Sequence, residues 1–322
     1  MILVMGGAGY IGSHTLKHLL DNDYECIVAD NLVYGHREAV DSRAKFIEAD
    51  LLDKESLRDI FKNNKIDAVI HFAAFAYVGE SVINPQKYYT NNLVGTLNLL
   101  DVMFEFDVKK IVFSSTCATY GEPEYTPIDE LHTQKPINPY GKTKLMIEQI
   151  FEDYSKAYGL KYIALRYFNA AGASKNAEIG ESHNPETHII PLVLKAIKGE
   201  IECVKVFGND YDTKDGTCIR DYIHVEDLAK AHRLAYENLD NYSGFMNLGT
   251  GIGTSVKEII EGAEKVTGKN CPVEYTQRRA GDPAKLFADN KRAKEVLGWE
   301  IEYKNIEDIL KTAWEWELNK KY

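Results

Sequence analysis

Ile2-Leu3-Val4-Met5-Gly6-Gly7-Ala8-Gly9-Tyr10-Ile11-Gly12 follows directly on Met1. Four apolar residues of strand length run into a glycine-rich turn, and the turn runs into a segment with helical spacing of apolar residues. Such a tight turn needs the φ freedom of glycine, and an anion can approach the backbone closely only where no Cβ intervenes. The helix that follows offers free N–H groups and the positive end of its dipole to phosphate. G-x-G-x-x-G spacing alone is weak evidence, because 23 glycines generate near-matches. Its place between a strand and a helix is what dinucleotide binding requires.

The same alternation continues outward from that turn. Apolar runs at 2–5, 25–29, 45–47, 68–71, 111–114 and 162–165 read as buried strands, and 10–21, 53–63, 86–106 and 140–158 read as helices. In the last of these, Leu145, Ile147, Ile150, Phe151 and Tyr154 are expected to face the sheet. Repeated crossovers of this kind give a Rossmann-like, doubly wound α/β fold with a parallel sheet, which binds ligands at the carboxyl ends of its strands. Beyond 167 the regularity breaks. Residues 167–187, rich in Asn, Gly, Ala and Ser, read as loop over a site, followed by helices near 189–198, 225–238, 255–267 and 304–317. The expected division is a dinucleotide domain over 1–166, with added segments from about 216–248, and a smaller mixed α/β substrate domain over 167–322.

Asp30 ends the second expected strand, where its carboxylate can accept from an adenosine ribose and repel a 2′-phosphate. That favours NAD over NADP, with Arg37 the one nearby residue able to tolerate the phosphate. The net charge of −11 argues against nucleic acid or an anionic membrane as partner, though a few local arginines can still hold a diphosphate. The five scattered cysteines form no C-x-x-C pair, so neither a disulfide nor a metal site is expected. No leader and no apolar run of roughly 18 residues is visible, so a cytoplasmic protein is expected.

Tyr140 and Lys144 stand four apart at the start of an expected helix, on one face. Of 20 tyrosines, only Tyr140 has a lysine in that position. Upstream, Phe113-Ser114-Ser115-Thr116 ends a buried strand, where a hydroxyl projects into the ligand crevice. A phenol is a poor base at neutral pH, but a lysine ammonium and a positive nicotinamide ring lower its pKa, and Thr116 can orient the substrate oxygen. Thr116, Tyr140 and Lys144 are therefore the expected catalytic set.

These stretches, with Asp30-Asn31-Leu32, His71-Phe72-Ala73-Ala74, Tyr88-Tyr89-x-Asn91-Asn92 and Tyr140-Gly-Lys-Thr-Lys144, resemble the extended short-chain dehydrogenase/reductase family. The likeness continues through Leu165-Arg166-Tyr167-Phe168-Asn169, Ile219-Arg220-Asp221-Tyr222 and Arg278-Arg279-Ala280-Gly281-Asp282-Pro283. It is strongest to the members that epimerise UDP-hexoses at C4. By that resemblance NAD is held by Gly6, Gly9, Tyr10, Ile11, Gly12, Asp30, Asn31, Asp50, Leu51, Phe72, Ala73, Ala74, Asn91, Ser114, Tyr140, Lys144 and Tyr167. It likewise implies that Thr116, Asn169, His188, Ile189, Arg220, Tyr222, Arg279, Asp282 and Leu286 hold a UDP-sugar. A homodimer packed through the helices at 86–106 and 140–158 is also implied.

Thr116 replaces a serine common in this group, Ala76 a lysine, His188 an asparagine, and Leu286 a bulky tyrosine. The smaller Leu286 leaves room for N-acetylated sugars, so UDP-GlcNAc and UDP-GalNAc join UDP-glucose and UDP-galactose as expected substrates. A dehydratase would need a proton-moving pair after the hydroxyl, where Cys117-Ala118 stands. A UDP-glucuronate decarboxylase or 4-epimerase would need a cation such as Lys142 or Lys285 facing a carboxylate. A non-catalytic NAD-binding protein would have no use for the tyrosine base.

Overall fold

Every residue of β1 (Ile2–Met5) is buried, which is why the run is continuously apolar: both faces of the strand are covered. Ile2 and Val4 pack into one core with Leu16 and Leu228, while Leu3 and Met5 pack into another with Leu57, Leu99 and Phe151. The computed structural model describes residues 1–279 and 281–322. Further strands are β2 (Cys26–Asp30), β3 (Lys45–Glu48), β4 (Ala68–His71), β5 (Lys110–Thr116) and β6 (Lys161–Tyr167). Four short strands follow, β7 (Asn169–Ala171), β8 (Val204–Phe207), β9 (Ile219–Arg220) and β10 (Tyr222–His224). Then come β11 (Gly244–Leu248), β12 (Thr254–Ser255), β13 (Val273–Thr276) and β14 (Lys285–Leu286).

The main sheet has seven strands in the order β11-β6-β5-β4-β1-β2-β3, all parallel. The chain builds outward from β1 in one direction and then, from β4, in the other, so β1 and β4 flank the topological switch point where such sheets bind ligands. Helices α1 (Tyr10–Leu20), α2 (Lys54–Asn63), α3 (Val78–Ile83), α4 (Pro85–Tyr88), α5 (Gly95–Glu105) and α6 (Pro139–Tyr158) belong to the N-terminal half. The C-terminal half supplies α7 (Ile189–Lys198), α8 (Val225–Asn238), α9 (Val256–Thr267), α10 (Lys291–Leu297) and α11 (Ile306–Asn319). Leu228, Ala231 and Ala235 of α8 join Leu16 and Leu19 of α1 on one face of the sheet. A separate core gathers α7, α9 and α11 around Val193, Ile259 and Leu310. Among the described residues no helix is long and apolar enough to cross a membrane.

Three local expectations need correction. The helix expected over 86–106 is interrupted by a π-helical turn, Tyr89–Val94. The wider turn lets the buried Asn92 side chain accept from the Phe75 N–H (2.8 Å) and donate to the Phe75 carbonyl (3.0 Å). The stretch 167–187 is not loop throughout, because β7 pairs with β10. Of the five α6 residues expected to face the sheet, Ile147 and Phe151 are fully buried and Ile150 and Tyr154 pack against the same core partly buried, while Leu145 is half-buried outside it. Tyr154 there meets Phe104 of α5 with ring centroids 5.6 Å apart.

Candidate active site

The turn after β1 is drawn tight on both sides. Gly6 has φ +80°, and a Cβ there would stand 2.5 Å from the Ala73 nitrogen. A Cβ on Gly12 would lie 2.2 Å from the Gly6 carbonyl oxygen. Only glycine lets the start of α1 and the segment after β4 close on this turn, and the result is a crevice that a side chain would fill. Gly6, Gly9, Asp30, Asn31, Leu51, Phe72, Ala73, Ala74 and Asn91 line it together. Asp30 is buried, and its two oxygens accept from the N–H groups of Ala8 (3.0 Å) and Leu32 (2.9 Å), each keeping a lone pair for a ligand hydroxyl. Burial raises its pKa, and those two N–H groups oppose the rise. Arg37 is exposed and lies over the Phe46 ring, 4.5 Å from its centroid.

Not every expected cofactor residue lines that crevice. Gly12 is packed beneath it, and Ile11 is packed against the core. Tyr10 turns away, its hydroxyl donating to the Gly172 carbonyl at 2.5 Å. Asp50 accepts from Asn31 at 2.8 Å and so acts from behind it. Val33, Tyr34, Gly35 and Phe75 line the crevice without having been expected. The one signal for them was position, since Tyr34 and Gly35 directly follow the Asp30–Leu32 turn.

The catalytic set lies where β5 and α6 meet. Asn138 caps α6, its side chain accepting from the Gly141 N–H at 2.8 Å, and Pro139 occupies the first turn. Helix start and spacing together put Tyr140, Lys144 and Glu148 on one face. Lys144 is 2% exposed, donates to the Ser114 carbonyl at 2.7 Å, and has its Nζ 5.9 Å from the Tyr140 ring centroid. Burial pushes the Tyr140 phenol up to about 12, with the Thr116 hydroxyl pulling the other way. Burial pushes Lys144 down to about 7, opposed by Glu148. Thr116 ends β5 and also accepts from the Ala118 N–H at 3.1 Å. The Ser114 and Tyr167 hydroxyls bond to each other between β5 and β6.

Beyond Tyr167 a cavity of about 430 Å³ is lined by Asn169, His188, Ile189, Arg220, Tyr222, Arg279 and Asp282. Seven of the residues expected to hold substrate thus converge from β7, α7, β9, β10 and the 279–282 segment; Ala280 of that segment lies outside the described residues. Arg220 spends one nitrogen on the carbonyls of Ile219 (2.9 Å) and Pro283 (2.8 Å), and another lies 3.5 Å from Asp282. Arg279 is exposed over the Phe207 ring at 3.7 Å. Leu286 does not line this cavity; it pairs with Arg220 in register and packs beside Cys117, Tyr120 and Phe168. His188 is a partial correction, because its Nδ1 faces Glu181 (2.8 Å) and Glu186 (3.0 Å) rather than open space.

A doubly wound sheet whose switch point carries a glycine cradle and a hydroxyl–tyrosine–lysine set defines a dinucleotide-using enzyme of the short-chain dehydrogenase/reductase class. Residues 2–249 match the model of the NAD dependent epimerase/dehydratase family, and the chain belongs to that family. It is 55% identical to the UDP-glucose 4-epimerase of Halalkalibacterium halodurans over 317 residues, 98% of this chain and 95% of that one. A UDP-glucose 4-epimerase from Bifidobacterium longum in complex with NAD+ and UDP superposes with a TM-score of 0.93 at 40% identity, covering 99% and 98% of the two chains. The UDP-Glc/GlcNAc 4-epimerase of Campylobacter jejuni gives a TM-score of 0.87 at 44% identity, with 99% of both chains covered.

Proposed function

We propose that this chain is an isomerase that interconverts UDP-glucose and UDP-galactose at C4 while keeping NAD bound. The observation that carries this is the Thr116–Tyr140–Lys144 set where β5 meets α6, in a chain that also walls a cavity with Arg220 and Arg279. The seven-stranded sheet, formed from 1–166 and the returning 216–248 region, holds the dinucleotide, and the rest of 167–322 holds the sugar nucleotide. Five free cysteines fit a reducing cytoplasm. Exposed Val94 beside α5 and exposed Met146 and Tyr158 on α6 supply apolar surface for a homodimer through these two helices.

NAD, when bound, supplies a reversible hydride acceptor and a positive ring beside the phenol. Tyr140 takes the proton of the sugar 4-hydroxyl and returns it on the other face, and Thr116 aligns that hydroxyl. The arginines grip the diphosphate, since a planar guanidinium can hold two phosphate oxygens at once, so the sugar can turn while the nucleotide stays fixed. Asp30 would hold the adenosine ribose, and Tyr167 would stand on the nicotinamide side. The direct test is purified protein with UDP-glucose and no added NAD. UDP-galactose forms if the proposal holds; no product, even with NAD supplied, refutes it.

Burial pushes the Tyr140 phenol up to about 12 against the pull of the Thr116 hydroxyl, so ionisation near neutral pH calls for positive charge beside it. The reactive form is the deprotonated phenol, so rate rises with pH through its pKa, and removing a positive neighbour moves that limb to higher pH. Lys144→Met is expected to shift the limb alkaline and to lower kcat at pH 7 by about 10²-fold. A limb at unchanged pH would exclude this role. Leu286, outside that cavity but packed beside Cys117 next to Thr116, gives a second expectation, measurable turnover of UDP-GlcNAc. A rate no higher than background would remove N-acetylated substrates from the proposal.

A further inference from the structure

Glu181-Ser-His183 and Glu186-Thr-His188 are two Glu-x-His pairs on the segment that leads into α7. The four side chains converge, and one ligand atom from each lies within 4.8 Å of all the others. Both histidines present Nδ1 to the same two carboxylates. His188 Nδ1 stands 2.8 Å from Glu181 and 3.0 Å from Glu186, and His183 Nδ1 stands 3.2 and 3.6 Å from them. In a tetrahedral zinc shell, with bonds of ~2.0–2.2 Å, donor atoms sit roughly 3.3–3.6 Å apart. Small outward shifts would therefore open room for an ion at the centre.

A second observation points the same way. The Glu186 side chain is 3% exposed; its Oε1 accepts from the N–H groups of Thr187 (2.7 Å) and His188 (2.8 Å). Its Oε2 faces His183 Nδ1 at 3.6 Å, an ion-pair distance at which neither atom makes a hydrogen bond. Buried polar atoms are rarely left unpaired, and a cation would satisfy both at once. We infer that Glu181, His183, Glu186 and His188 bind one divalent transition cation of the zinc class. Two carboxylates and two neutral imidazoles carry a charge of minus two, which such an ion neutralises. Mixed imidazole and carboxylate donors suit zinc better than calcium or magnesium, which favour oxygen alone.

Four protein ligands leave no open position, so the ion is structural rather than catalytic. It fixes the start of α7, where residues 187–189 enter the cavity wall. It also braces the glycine turn, because Tyr10 meets the His183 ring edge-on with centroids 6.3 Å apart. His188, half-exposed, gives the ion its entry path and acts as a ligand to the ion in place of a contact to the sugar. This holds whichever sugar nucleotide the cavity takes.

The test uses the full chain, stripped with EDTA, dialysed and titrated calorimetrically with zinc chloride alone. One equivalent per chain is expected, with a rise in Tm, and both are lost in His183→Ala and in Glu186→Gln. Cobalt(II) bound to the unmutated protein gives a readout independent of any variant, namely the intense visible absorption of tetrahedral nitrogen and oxygen coordination. Absence of binding to the unmutated protein, an equivalent retained in a folded His183→Ala, or a sulfur-ligand cobalt spectrum would each overturn the inference.

Discussion

Replacing Tyr140 with phenylalanine is expected to lower kcat by about 10³-fold, the range that a positioned general base contributes. The ring and its volume stay, so α6 keeps its packing and only the phenolic oxygen is lost. Lys144 is anchored to the Ser114 carbonyl and does not depend on Tyr140 for its position. The crevice of Gly6, Asp30 and Phe72 is likewise untouched, so the variant should retain NAD at the wild-type ratio. Steady-state turnover with UDP-glucose, beside the NAD released on denaturation, separates the two effects. If kcat stays within tenfold of wild type, Tyr140 is not the base. Tyr167, bonded to Ser114 nearby, would become the next residue to test.

Glu148→Ala is expected to cost about 3–5 kcal/mol of folding stability, the usual result of removing one partner from a buried ion pair. Arg166 is fully buried, and its guanidinium donates to both Glu148 oxygens at 2.9 and 2.6 Å. Ser115 (2.5 Å) and Gln134 (3.1 Å) also donate to that carboxylate, and the Tyr120 hydroxyl accepts from Arg166 at 2.9 Å. Without Glu148 a guanidinium would remain out of water without its bidentate counter-charge. The same network lies one turn below Lys144, so local loosening would reach the catalytic face. Urea denaturation of the variant checks the figure, and a loss below about 1 kcal/mol would mean that water or a shifted Arg166 relieves the charge.

How far the sequence could be read depended on how local each signal was. The strands were legible because burial on both faces makes them continuous apolar runs, and 2–5 and 68–71 coincide with β1 and β4. Helices α7 and α8 were legible from 3.6-residue spacing, and both match their expected bounds. The π-helical turn was not, since one extra residue in a turn barely disturbs an apolar pattern; its reason is Asn92 reaching across to Phe75. Tyr140 and Lys144 were visible because four residues make one helical turn. Arg166 and Glu148 carried no such signal, because their pairing is made by β6 lying against α6. The Glu181–His188 grouping carried no signal for another reason: its four side chains lie on an irregular polar segment, where no helical or strand period says that they converge.

The central claim is that C4 is oxidised and reduced within one bound complex, with Tyr140 handling only the proton. UDP-glucose carrying deuterium at C4, converted in ordinary water, tests it most directly. The claim predicts UDP-galactose that retains its deuterium at C4. Product that has exchanged that deuterium for solvent hydrogen would contradict the account and point to deprotonation at carbon instead.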